Sequence, residues 1–212
     1  MATVTLHGPG FSTYVRSARL ALEEKGVDYE LDEFDFLADG MPSAQLARHP
    51  FGKVPALTHD GFVLYEVTAI GRYVDEAFDG PALQPSDPQG RARVTQVCGI
   101  LDNYTYGPAV SSVVIQRLVV PMMGGAPDEA VVEAAVPEAQ KAMGVLDEIL
   151  GQRNYLVGDA VSLADLHLVP IYDYFRQPPE GEGVLAATPA LRRWWDGISD
   201  RDSVTKTTPQ LG

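Results

Sequence analysis

Three consecutive hydroxyl-bearing residues, Ser12, Thr13 and Tyr14, stand one residue past a Gly8-Pro9-Gly10 break. Ahead of the break Thr3 to Leu6 reads as a strand, and behind it Val15, Ala18 and Leu22 recur at helical spacing. A hydroxyl at such a junction has two uses. It can cap the helix by accepting from one of the first N–H groups, or it can donate to an anion held at the positive helix end. Ser12 stands where the strand gives way to the helix, with Thr13 and Tyr14 as rival hydroxyls. Arg16, one turn later, would add positive charge there or simply face solvent. Glu66 opens a second helix, along which Val67, Ile70 and Val74 recur at i, i+3 and i+7. An acid suits that position for the dipole alone. Lys53, just before Val54-Pro55, would serve as a carboxylate partner or as an ordinary surface lysine.

Other reactive groups are sparse. The single cysteine, Cys98, forms no internal disulfide, CxxC pair or multi-thiolate zinc site, and is expected to be buried and inert. His7, His49, His59 and His167 lack ligand spacing with carboxylates or thiols, so no metal is expected. A formal charge of −13 disfavours nucleic acid and anionic membrane surfaces as partners. No run of about 18 apolar residues signals a membrane span, no secretory leader is visible, and a cytoplasmic location is expected.

These groups need a scaffold to position them. Val27, Tyr29 and Leu31 alternate as in a second strand, Phe34 to His49 is irregular with a helical turn, and Val54–Thr58 and Phe62–Leu64 flank the hairpin signal His59-Asp60-Gly61. The order β-α-β then β-β-α predicts an α/β domain over 1–80. Pro81, Pro85 and Pro88 mark a linker over 81–90. Helices over Arg91–Val120, Glu133–Leu150, Ser162–Phe175 and Pro189–Ser199 predict an all-α domain over 91–212. Ser162-Leu163-Ala164-Asp165 has the form of a capping box.

Three stretches resemble one family. His49-Pro50-Phe51-Gly52-Lys53-Val54-Pro55-Ala56-Leu57 is similar to the N-P-x-G-x-V-P-x-L segment of glutathione S-transferases. Leu64 to Ile70 looks like their L-x-E-S-x-A-I segment, and Gly158 to Asp165 like their G-x-x-x-S-x-A-D box. Leu6 to Gly26 and Pro121-Met122-Met123-Gly124 are most similar to the phi class and its bacterial and fungal relatives. The resemblance implies a thioredoxin-like N-terminal domain followed by an all-helical domain, a cis bond at Val54-Pro55, and a homodimer built on the helices at Glu66–Phe78 and Arg91–Val120. It implies glutathione as co-substrate, with Ser12 as thiolate stabiliser. Val54 would pair with the tripeptide as an added strand beside Pro55, and Lys53, Glu66 and Val67 would complete its site. Thr13, Tyr14 and Arg16 would support the thiolate. Phe11 and Phe36, with Tyr104, Tyr106, Val110, Val113, Val114 and Arg117 on the first long helix, would line the pocket of a hydrophobic or aromatic electrophile, although such a stripe is more often bundle core.

Two departures bear on affinity. Val67 replaces the family's serine and removes a hydroxyl donor to the γ-glutamyl carboxylate, and Gly40-Met41 stands where phi members carry a His-Lys pair. The resemblance therefore leaves open a transferase, a glutathione-dependent lyase, dehalogenase, isomerase or peroxidase, and a non-catalytic binding module.

Overall fold

Val4 and Leu6 point to one side of β1 (Val4–His7) and both are buried. A computed structural model describes residues 3–209 and shows two compact units, the first running to Leu83 and the second spanning Gln84–Asp200. In the first, α1 (Thr13–Lys25) buries the expected Val15, Ala18 and Leu22 and stops at Gly26, whose φ of 66° makes the left-handed cap that glycine adopts without a Cβ penalty. β2 (Tyr29–Asp32) runs parallel to β1, and the short α2 (Ser43–Arg48) is the helical turn expected within the irregular stretch. β3 (Ala56–His59) and β4 (Phe62–Tyr65) form the predicted hairpin, with Asp60 and Gly61 both at positive φ in the turn. The sheet order is β2-β1-β3-β4, with β3 antiparallel to β1. α3 (Val67–Ala77) packs on α1 and buries Ile70 and Val74.

In the second unit, α4 (Pro88–Ile100) starts at Asp87, whose carboxylate accepts from the Gly90 N–H. The sequence predicts one α-helix through Val120. The structure instead widens to π-winding over Leu101–Thr105 and Gly107–Val119. Pro108 has no N–H to offer an α-helical partner, and the Tyr106 N–H bonds to the Leu101 carbonyl five residues back. After the single turn α5 (Val120–Met122), α6 (Glu129–Leu150) is capped by Asp128, which accepts from Ala130 and Val131. α7 (Leu163–Phe175) is buried along its whole length. Its N-terminus carries the predicted capping box, and Asp165 also accepts from the Leu156 N–H and from Trp194 Nε1. α8 (Pro179–Ala186), absent from the sequence reading, and α9 (Pro189–Ile198) complete the unit. Cys98 is buried as expected. Burial, reinforced by Asp102 and Asp165, pushes its thiol up to about 12.

The helical unit ends at Asp200, and residues 201–209, which the sequence reading places in the helical domain over 91–212, cluster with the first unit. Arg201 donates two bonds to the Glu24 carboxylate of α1, and Ser203 of α10 (Asp202–Thr207) donates a third. Burial alone would raise the Glu24 carboxyl, but Arg201 and Ser203 outweigh it and hold the group below the usual range.

Candidate active site

Sheet register brings the expected site residues together. His7 pairs with Asp32 on β2 and with Ala56 on β3, and Ala56 pairs with Tyr65 on β4. The next residues outward are Gly8, Pro55 and Glu66, so the segments bearing Ser12, Val54 and Glu66 leave the sheet at the same end. That end is where open α/β sheets bind ligands. His7 ties the rung together: Nδ1 is hydrogen-bonded to the Asp32 carboxylate at 2.7 Å and Nε2 to the Thr58 hydroxyl at 2.9 Å. Both ring nitrogens are thereby engaged in holding the sheet.

Ser12 occupies the N-cap position of α1 in extended conformation, yet its hydroxyl makes no capping bond. Its N–H donates to the Pro9 carbonyl and its own carbonyl accepts from Arg16, so the backbone is fixed while the hydroxyl keeps its donor capacity. The loop before it is pinned by Glu33, which accepts from the Gly10 N–H at 2.7 Å. Thr13 begins the helix and is buried; Tyr14 is half-buried.

Gly8 sets the gap between this loop and Val54. Its φ is 139°, and a Cβ there would meet Val15 Cγ2 at 2.7 Å and Val54 Cβ at 3.0 Å. Gly8→Ala is therefore expected to cost about 1–3 kcal/mol by strain and overpacking. Thermal unfolding checks it, and an unchanged Tm would contradict this packing.

The peptide bond Val54-Pro55 is cis, as the resemblance implies. Among the described residues the Val54 N–H and C=O find no backbone partner, so both remain open to an extended ligand. Lys53 is exposed, and its carbonyl accepts from Gln45 Nε2 at 2.8 Å, which anchors the loop. Glu66 sits between β4 and α3 at φ 71°, a costly conformation for glutamate, with its side chain 64% exposed. Val67 supplies the first turn of α3 with a backbone N–H and no hydroxyl. Gly40 has φ 76° and lies with Met41 in the irregular stretch before α2.

Other expected site residues are placed elsewhere. Arg16 is fully buried and donates to the Val204 carbonyl and to Thr208 Oγ1, so its guanidinium is engaged with the carboxyl-terminal segment. Arg117, expected to line the electrophile pocket, is held by Glu129 and Glu180 in charge-assisted bonds of 2.5–2.9 Å. Those bonds hold both carboxyls below the usual range. Tyr104 is 68% exposed, while Tyr106 is half-buried, its phenol pushed up by burial and drawn back by Ser111. Val110, Val113 and Val114 are buried on a stretch that packs against α6 and α7, where apolar residues at helical spacing usually go. In the first unit, Phe11 and Phe36 face one another with centroids 6.1 Å apart.

Sequence reasoning missed Glu33 and Gln45, and it placed His49 in the family-like segment without giving it a role. Each acts through a tertiary contact, and none carries a spacing signal that would have found it.

The chain matches two family models, "Glutathione S-transferase, N-terminal domain" over residues 6–82 and "Glutathione S-transferase, C-terminal domain" over residues 109–202. Glutathione S-transferase F13 of Arabidopsis thaliana is 34% identical, covering 97% of this chain and 95% of its own. Among solved structures, glutathione S-transferase III in apo form superposes with a TM-score of 0.87 at 32% identity, covering 100% of both chains. Glutathione S-transferase I from maize, in complex with an atrazine glutathione conjugate, gives 0.83 at 33% identity, covering 97% of this chain and 96% of its own. With the thioredoxin-like sheet unit, the helical unit and full-length similarity in agreement, this chain belongs to the glutathione S-transferase family.

Proposed function

We propose that the chain is a working glutathione transferase of phi-class character that holds the glutathione sulfur as thiolate at Ser12 for attack on a hydrophobic or aromatic electrophile. The observation carrying this reading is the Ser12 hydroxyl, fixed at the positive end of α1 and not spent on a cap. A free thiol of pKa about 8.5 is only a few per cent ionised at neutral pH. A hydroxyl donor and a helix end both favour the charged form. The thiol proton leaves to solvent, the sulfur forms a bond to the electrophilic carbon, and the leaving group departs with the electron pair of the broken bond.

Within the same unit, Val54 pairs with the cysteinyl backbone, Lys53 meets a ligand carboxylate, and the Glu66 carboxylate receives the γ-glutamyl ammonium group. The γ-glutamyl carboxylate then lies at the first N–H groups of α3. The Arabidopsis and maize relatives are plant proteins, which supports phi-class character without pointing to bacterial or fungal members. The maize conjugate favours an aromatic acceptor. A homodimer in the cytoplasm fits this reading, and the apolar Phe51, Phe62 and Val63, all exposed on the first unit, are surface that a second copy would cover. No helix among the described residues is long and apolar enough to cross a membrane.

Calorimetric titration with glutathione tests the binding half of this reading. Glu66→Ala is expected to weaken binding about tenfold, the loss of one charge-assisted interaction. Val67→Ser is expected to tighten it by a comparable factor, because a serine hydroxyl there adds a donor to the carboxylate. Unchanged dissociation constants in both variants would contradict the placement.

A further inference from the structure

His49 closes α2, its N–H donating to the Gln45 carbonyl at 2.8 Å. Its imidazole is almost wholly buried, with 4% of the side chain exposed, and lies 4.7 Å from the Tyr65 ring by centroid, with Phe51 edge-on at 6.2 Å. One nitrogen, Nδ1, is buried and has no hydrogen-bond partner among the described residues. The other, Nε2, stands 4.0 Å from Glu66 Oε1. A buried imidazole thus looks out along one direction only, at the carboxylate assigned above to the ligand's ammonium group.

The two cations compete for one anion. We propose that His49 is a positioning residue for Glu66: neutral, it leaves the Glu66 carboxylate to the γ-glutamyl ammonium group, and protonated, it draws that carboxylate to itself and weakens glutathione binding. This rests on the glutathione reading of the site. The charged and titratable groups facing His49 are Glu66 at the β4–α3 junction, Lys53 ahead of β3 and Tyr65 on β4. Neighbouring Arg48 is turned to Asp32 at 3.7 Å. Burial lowers the His49 pKa from its ordinary value, Glu66 opposes this, and Lys53 adds to it; the net direction is down. The neutral form is therefore the resting one at neutral pH, and the competing form appears as pH falls. The effect is reciprocal: bound ligand must make His49 harder to protonate by the factor that protonation costs the ligand.

S-methylglutathione is the probe, because it has no thiol to titrate and isolates the γ-glutamyl end. In wild type its affinity is expected to fall about fivefold or more from about pH 7.5 to about pH 5.5, whereas His49→Asn and His49→Gln, which cannot protonate, stay flat. An NMR titration of the His49 imidazole in the wild-type protein, with and without saturating S-methylglutathione, is expected to show its pKa lowered by the ligand. This arm decides the matter even if the variants fold poorly. Wild type and both variants losing affinity in parallel, or a His49 titration that ignores the ligand, would overturn the proposal. PH-independent binding in wild type defeats this inference alone; no binding at either pH defeats the glutathione reading with it.

Discussion

Replacing Ser12 by alanine is expected to lower kcat/KM toward an aromatic halide by about 10- to 150-fold, with little change in glutathione affinity or in Tm. The size follows from one hydrogen bond to a charged sulfur, about 1.5–3 kcal/mol. The hydroxyl caps nothing in α1, so its removal leaves no orphan helix donor and should cost little stability. That separation is what distinguishes a catalytic hydroxyl from a structural one. Steady-state kinetics on Ser12→Ala, with calorimetry and thermal unfolding alongside, checks it. A fall in Tm as large as that of a lost cap, with activity retained, would assign the residue to the helix. Thr13 and Tyr14 provide the control: if Ser12→Ala keeps full activity and a variant at either neighbour loses it, the donor was misidentified.

The largest stability loss is expected at Asp165. Its carboxylate is fully buried and accepts from the backbone of Leu156 and Ser162, from the Ser162 hydroxyl, and from the indole of Trp194. Asp165→Ala strands these donors in the core of the helical unit, at a cost of about 3–5 kcal/mol. This is a large part of a typical domain's stability of about 5–15 kcal/mol. Asp165→Asn should be intermediate, since one oxygen remains to accept and the amide nitrogen cannot. Denaturant unfolding measures both, and a loss below about 1 kcal/mol for the alanine variant would contradict the network. Catalysis is expected to suffer only through the folded fraction, which marks Asp165 off from Ser12.

The same two residues show what was legible in the sequence. Ser162 and Asp165 interact within one helical turn, so a spacing rule finds them. Ser12 lies at a strand-to-helix junction, and the break and the periodicity on either side of it are local too. The hairpin was readable because Asp60 and Gly61 need positive φ. Non-local features were not readable. Arg16 has the sequence position of a thiolate neighbour but is taken by Val204 and Thr208, far along the chain. Arg117 has the spacing of a pocket residue, and only the fold brings Glu129 and Glu180 to its guanidinium. The π-winding from Leu101 depends on how the whole helix packs, and one proline hinted at it without fixing it. His49 was read as part of a motif, and only the fold reveals that its open nitrogen faces Glu66.

The central claim is that this protein makes the bound tripeptide's sulfur more acidic, through Ser12. Thiolate absorbance in the near ultraviolet, followed against pH with glutathione held on the protein, measures this directly. The bound thiol of the wild type is predicted to titrate about one to two units below the free value of about 8.5, and that of Ser12→Ala to move back toward it. A bound thiol that titrates like free glutathione in both proteins would contradict the account.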